Sequence, residues 1–206
     1  SRKMGYSVSK TMLIAQKLYE SGKITYMRTD SVNLSDTALA DISAEVNNAY
    51  GAQYHQPRKF KNKNESAQEA HEAIRPTHME VEAIQGDANE KKLYRLIWQR
   101  TIQSVMSPAR GETCHITIQL QGDTDFNWLA RWKRTTFEGG KRVVSVANLD
   151  EDDSLLEQTS EWEKASLMKL GDEIKWSTIR AEPKESKAKG RYTEATLVRD
   201  MEDRKA

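Results

Sequence analysis

The sequence predicts an α+β chain, a mostly helical first half followed by a strand-rich segment. Three observations carry this. Apolar residues recur at helical spacing along 89–106, the longest such stretch in the chain. The period then switches to two at about residue 112. Residues 182–190, Glu-Pro-Lys-Glu-Ser-Lys-Ala-Lys-Gly, have the composition of a linker. The expected division is a helical unit over 1–111, a β-rich segment over 112–181, and a linker with one further helix over 182–206.

Residues 10–20 read as the first helix, with Met12, Ala15 and Tyr19 on one face, Leu18 beside them, and Gly22 placed to stop it. Residues 24–28 read as a short extended piece. Ser35 caps a second helix, where Leu39, Ile42 and Val46 fall at 3.6-residue spacing. Residues 51–66 are polar and read as an exposed loop. A short helix is expected over Gln68–Ile74, ended by Pro76, because the residue before a proline is pushed out of helical geometry. In the helix over 89–106, Leu93, Ile97 and Thr101 line one edge of the stripe. Tyr94, Trp98, Ile102 and Val105 line the other, and Pro108 ends it.

Beyond residue 112, Cys114, Ile116, Ile118 and Leu120 alternate with polar residues, and so do Phe126, Trp128, Ala130 and Trp132. Gly139-Gly140 marks a turn before a strand at Val143–Val146. The acidic run 150–163 reads as a loop or insert, and Ile174–Ile179 as another strand. Thr193 begins an amphipathic helix over Glu194–Glu202.

Composition excludes several classes. Of 206 residues 37% are hydrophobic, and mean hydropathy is −0.81, so the chain is polar; five Trp, seven Tyr and seven Met still supply core material. A single cysteine, Cys114, excludes an internal disulfide and a Cys-rich zinc site. It sits in a strand pattern as a small core residue. No stretch has the length and apolarity of a membrane helix, so no membrane partner is expected and a cytoplasmic location follows. The formal charge of +1 carries no global signal for nucleic acid. Locally, residues 1–30 hold six basic and two acidic side chains. That stretch, Lys10 included, suits phosphates or an ordinary solvated helix surface equally well.

Two segments carry chemistry. In Tyr26-Met27-Arg28-Thr29-Asp30-Ser31, an extended backbone would turn Tyr26 and Arg28 to the same side. A tyrosine that attacks phosphorus must lose its proton, against a reference pKa of about 10. A neighbouring guanidinium favours the phenolate and grips a phosphate, and Asp30 could orient it. The same spacing also describes an ordinary strand with a packed tyrosine and a solvated arginine. In the second segment, a helix would put Gln68, His71, Glu72 and Arg75 on one polar face. Such a face supplies a proton carrier and an anion grip, and it is also what a plain solvated helix looks like.

Together the two segments resemble bacterial type IA DNA topoisomerases. Tyr26-Met27-Arg28-Thr29-Asp30-Ser31 is followed some forty residues later by Glu69-Ala70-His71-Glu72-Ala73-Ile74-Arg75-Pro76-Thr77. The stretch Thr11–Glu20, the run Leu93–Trp98 and Tyr192–Val198 are similar to that family as well. The likeness is close over 4–110, loose over 111–182 and close again over 191–202.

The resemblance implies that Tyr26 is the nucleophile, forming a 5′-phosphotyrosyl link to one DNA strand and releasing a 3′-hydroxyl. Arg28 would stabilise the scissile phosphate and His71 would assist. Asp30, Glu72, Arg75 and Lys10 would be supporting or DNA-binding groups. It further implies a winged-helix-like fold for the tyrosine-bearing domain and half of a strand-rich arch for the β segment. Mg²⁺ would be held by a Toprim domain, and no Asp-x-Asp-x-Glu pattern of that kind is present here. The chain is therefore expected to be a central fragment, inactive alone, whose partners are mainly single-stranded DNA and the remaining domains of a monomeric, nucleoid-associated parent. A non-catalytic DNA-binding module and a piece of a reverse gyrase are the alternative readings.

Overall fold

The computed structural model describes residues 3–60, 72–144 and 159–204, apart from 176, 179, 181, 184 and 187–189. Contacts divide the chain into two units, one formed by 1–107 with 190–206 and the other by 108–189. The first is built on helices α1 (Val8–Glu20), α2 (Asp36–Tyr50) and α3 (Ala88–Val105), with α1 and α2 both packed on α3.

Each of these helices begins where a side chain satisfies an otherwise orphaned N–H. Ser7 Oγ accepts from Lys10 N, and Ser35 Oγ accepts from Ala38 N. Asp87 forms a reciprocal capping box with Glu90. Its hydrogen bonds from the Glu90 and Asn89 N–H groups help hold its carboxyl below the usual range. α1 ends as its glycine predicts: Gly22 takes φ +68°, its N–H donates to Tyr19 O, and Lys23 N–H donates to Leu18 O.

The core joins Ile14, Ala15 and Leu18 of α1, Ala38, Ile42 and Val46 of α2, and Leu93, Tyr94, Trp98, Thr101, Ile102 and Val105 of α3. On α3 the predicted stripe is the buried one, with Ile97 half-buried at its edge. On α1 the inward face is rotated from the predicted one. Met12 is half-buried and Tyr19 is 42% exposed, because Ile14 rather than Met12 meets the core.

The polar stretch after α2 also departs from expectation at its start. Ala52–Tyr54 form a 3-10 turn that buries Tyr54. His55 then bridges to Met106, Gln56 N–H donates to Val105 O, and Ser107 N–H donates to Tyr54 O. One large aromatic ring turns an apparent surface loop into a lining of the end of α3. Ahead of α3, the segment 78–84 is pinned by two ring donors. Trp98 Nε1 donates to Met79 O at 2.9 Å and Tyr94 Oη to Val81 O at 2.6 Å.

The second unit is a hairpin of β1 (Arg110–Leu120) and β2 (Asp123–Phe137), antiparallel and closed at Gly122 with φ +89°. Its register places Cys114 opposite Trp132, Ile116 opposite Ala130 and Ile118 opposite Trp128, so the two alternating patterns share one face. Across the same face Glu112 pairs with Arg134 at 2.7 Å.

Helix α4 (Thr159–Ser166) covers part of this face and buries Trp162 and Ala165. The Arg134 guanidinium lies 5.0 Å from the Trp162 ring centre, and Trp132 Nε1 reaches Glu161 Oε2 at 3.4 Å. The end of the acidic run is thus a helix rather than a loop: Glu161 and Glu163 flank the apolar side of Trp162, which alone would bring about 2–3 kcal/mol on burial. Gly139–Val143 form a 3-10 turn instead of leading into a strand at Val143, and residues 145–158 lie outside the described ones. Among the described residues of 174–179 there is no strand, and the sheet that the described residues form is the two-stranded hairpin alone.

Helix α5 (Glu194–Arg204) belongs to the first unit, and Thr193 and Thr196 exchange hydrogen bonds at its start. Among the described residues no helix is long and apolar enough to cross a membrane.

Burial, and after it the nearby Glu80 charge, push the Tyr94 hydroxyl up to about 12 from its ordinary 10. A raised folded-state pKa contributes stability that is complete below pH 10 and is lost as pH rises towards 12. Denaturant midpoints measured from pH 7 to 12 should therefore fall more steeply above pH 10 in the native chain than in Tyr94→Phe. That variant should already be weaker by about 1 kcal/mol at pH 7 through the lost hydrogen bond.

Candidate active site

The tyrosine segment is tied to the second motif by a short, dense set of bonds. Ile24 and Pro76 form an antiparallel bridge. Thr25 N–H donates to Arg75 O at 2.9 Å, and Thr77 N–H donates to Lys23 O at 3.1 Å. Thr25 Oγ1 accepts from Arg75 N at 2.9 Å and donates to Ala73 O at 2.8 Å. Thr77 Oγ1 closes the far end by donating to Gly22 O at 2.6 Å. Ile24 and Pro76 are fully buried, which limits water's access to the Thr25 bonds beside them, while the Thr77 hydroxyl bond is exposed.

This pairing overturns part of the predicted helix at 68–74. Glu72, Ala73 and Ile74 are not helical, because the carbonyls and N–H groups around Ala73 and Arg75 are spent on Thr25 and on Asn33 O rather than on a helical ladder. Gln68, Glu69, Ala70 and His71 lie outside the described residues.

From this base the chain projects Tyr26. Ile24 and Met27 are buried on either side of it, while Tyr26 is 43% exposed and Arg28 and Asp30 are exposed. The segment is a loop with a single bridge, not a strand, since only Ile24 finds a ladder partner. The Tyr26 ring rests against Tyr19 in the last turn of α1, with centroids 5.1 Å apart at 65°. Downstream, Ser31 N–H donates to Thr29 Oγ1 and Asn33 N–H to Ser31 Oγ, so local side-chain turns order the backbone up to the Ser35 cap.

Glu72 and Arg75 stand apart from the exposed pair. Arg75 Nε and Nη2 donate to the two Glu72 oxygens at 2.9 and 3.1 Å, and Nη1 donates to Pro76 O. Ser35 N–H and Oγ–H both donate to Glu72 Oε1, at 3.0 and 2.8 Å. Burial would raise the Glu72 carboxyl, but the Arg75 guanidinium and the two Ser35 donors outweigh it and hold the group below its usual 4.5. Here the arginine fork is committed to the fold, and its side chain is only 16% exposed.

Lys10 lies elsewhere on α1, its ammonium 4.0 Å from the Tyr6 ring centre. About 14 Å of helix rise separates it from Tyr19. Sequence reasoning missed Thr25, Tyr19, Asn33 and Ser35 as parts of this site. All four are common polar or aromatic residues, and only the pairing of 22–25 with 73–77 gives them a role.

Among the described residues no three His, Cys, Asp or Glu side chains converge to hold a metal ion. Glu72 is already saturated by Arg75 and Ser35.

A depressed carboxylate stabilises the fold above about pH 4.5, and the contribution is lost as pH falls through the lower folded-state value. Glu72→Ala should cost about 1–3 kcal/mol near neutral pH. Thermal melts from pH 7 to 3 should show the gap between the two proteins closing below 4.5. A constant gap would mean that Glu72 acts through packing alone.

A family model described as DNA topoisomerase matches residues 1–205. DNA topoisomerase 1 of Streptomyces coelicolor is 40% identical over 219 residues, which is 99% of this chain and 22% of that protein. DNA topoisomerase 1 of Escherichia coli K12 is 34% identical over 209 residues, covering 99% of the chain and 23% of its own length. The full-length topoisomerase I structure from Thermotoga maritima superposes with a TM-score of 0.65 at 30% identity, over 98% of this chain and 32% of that one. The chain thus spans about a quarter of the length of the curated relatives it matches.

Proposed function

Because the chain belongs to the DNA topoisomerase family, we propose that it is the tyrosine-bearing part of a type IA enzyme and that Tyr26 opens one DNA strand. The observation that carries this reading is the exposure of Tyr26 between two buried anchors, Ile24 and Met27, on a loop bound to the second motif. A ring needed only for packing would be turned inward at such a position, as Tyr54 and Tyr94 are.

In this reaction the Tyr26 oxygen attacks a backbone phosphorus and gives up its proton. The bond from phosphorus to the 3′-oxygen breaks, and that oxygen leaves as a hydroxyl. The strand remains attached through its 5′-phosphate, so the broken bond's free energy is kept in the phosphotyrosine and religation needs no ATP. Arg28, exposed two residues on, stabilises charge on the phosphate oxygens. His71 assists in proton transfer or in gripping the backbone. Asp30 supports Arg28, and Lys10 contributes to phosphate attraction along the basic first segment. Glu72 and Arg75 act on the shape of the site, since their charges are spent on each other.

Passage of the second strand through the gap relaxes negative supercoils. The substrate is single-stranded DNA, and the enzyme works as a monomer in the nucleoid. The tyrosine domain is of winged-helix type and the hairpin forms part of an arch. In this reading Mg²⁺ belongs to a Toprim domain rather than to this segment; among the described residues no acidic cluster would hold it. The segment alone is inactive.

In a full-length topoisomerase carrying this sequence, Tyr26→Phe should abolish covalent DNA adducts trapped by denaturant while leaving oligonucleotide affinity within about twofold. Adducts that persist in that variant would remove Tyr26 from the reaction. Arg28→Ala should lower the cleavage rate about 100-fold or more, the usual scale for losing one charge-stabilising donor.

A further inference from the structure

We infer that Tyr19 is a positioning residue for the Tyr26 nucleophile, acting as a fixed wall for its ring. The inference deepens the reading above and rests on it. Tyr19 is 42% exposed, so the core does not require its ring. Its backbone is nonetheless fixed in the closing turn of the helix: its carbonyl accepts the Gly22 N–H, and the next bond, Lys23 N–H to Leu18 O, locks the same turn. On the other side, Ile24 and Met27 anchor the backbone around Tyr26.

What those anchors leave undetermined is the direction of the Tyr26 side chain. An exposed tyrosine hops among staggered rotamers in picoseconds to nanoseconds, and each hop swings the hydroxyl by several ångströms. In-line attack needs the oxygen about 3–3.5 Å from phosphorus and aligned with the leaving group. The contact with Tyr19, edge to face at 5.1 Å, is the ring contact that biases this rotor. A pair of this geometry favours one arrangement by about 2- to 10-fold over the uncontacted ones. Tyr19 touches no reacting atom in this scheme, and its hydroxyl has no part in it.

The test uses single-turnover cleavage of a single-stranded oligonucleotide by the full-length enzyme, with oligonucleotide Kd and thermal midpoint measured alongside. Tyr19→Ala and Tyr19→Leu should slow cleavage roughly 2- to 10-fold, leave Kd within twofold and move the midpoint by no more than about 6 °C. Tyr19→Phe, which keeps the ring edge, should cleave at the native rate.

Three outcomes would overturn the inference: native rates in Tyr19→Ala and Tyr19→Leu, a slow Tyr19→Phe, or a loss confined to Kd. A Tyr26→Phe control separates the two levels. If that control still forms adducts, the nucleophile assignment fails. If it does not, the Tyr19 result judges this inference alone.

Discussion

The structure of the candidate site depends on the pairing of residues 22–25 with 73–77. Two backbone hydrogen bonds, the hydroxyl bonds of Thr25 and Thr77, and a buried Ile24–Pro76 bridge join segments about fifty positions apart in the chain. Closing such a loop costs chain entropy that a few exposed bonds would not offset. Burial of Ile24 and Pro76 supplies the apolar term that lets it close. Once it has closed, the geometry of everything nearby follows. Tyr26 leaves the surface just beyond the bridge, Ala73 N–H reaches Asn33 O, and Glu72 arrives at the cap of α2.

Much of the helical unit was readable from periodicity alone. α2 and α3 appear where Ser35, Ile42, Val46 and the 93–105 stripe place them, and the Gly22 stop of α1 is observed. The hairpin register follows from two period-two patterns separated by a short glycine turn. These signals are local, and local signals survive in a bare sequence. The inward face of α1 was misjudged because Met12, Ile14, Ala15, Leu18 and Tyr19 form one continuous arc of roughly 160°, wider than the face that is buried. Only the position of α3 decides which of them is covered.

The failures elsewhere share a cause, namely partners distant in sequence. Residues 72–74 have helical propensity, yet their backbone groups are claimed by Thr25 and Asn33, and tertiary demand overrides a weak local preference. Tyr54 was hidden in a polar stretch whose single apolar anchor finds the end of α3. Trp162 was hidden among acidic residues, although a tryptophan with an exposed sheet face beside it will seek that face. For the site, the extended segment expected to turn Tyr26 and Arg28 to one side is a loop in the fold, and the distance of Lys10 from Tyr19 required the direction of α1.

The two arginines of the motifs illustrate what spacing alone leaves open. Arg28 and Arg75 both sit within short polar patterns, and both were candidates to hold a phosphate. In the fold, Arg75 has its fork filled by Glu72 and a third donor on a carbonyl, whereas the Arg28 and Tyr26 side chains are both exposed. Pulling Arg75 away to bind an anion would strand Glu72, whose other donors among the described residues come from Ser35, and would release the link between the second motif and the α2 cap. An ion pair with an additional structural partner on each side is costly to open. Under the proposed reaction, the arginine that could meet a phosphate without breaking an ion pair of its own is therefore Arg28, while Arg75 ties the second motif to the α2 cap through Glu72.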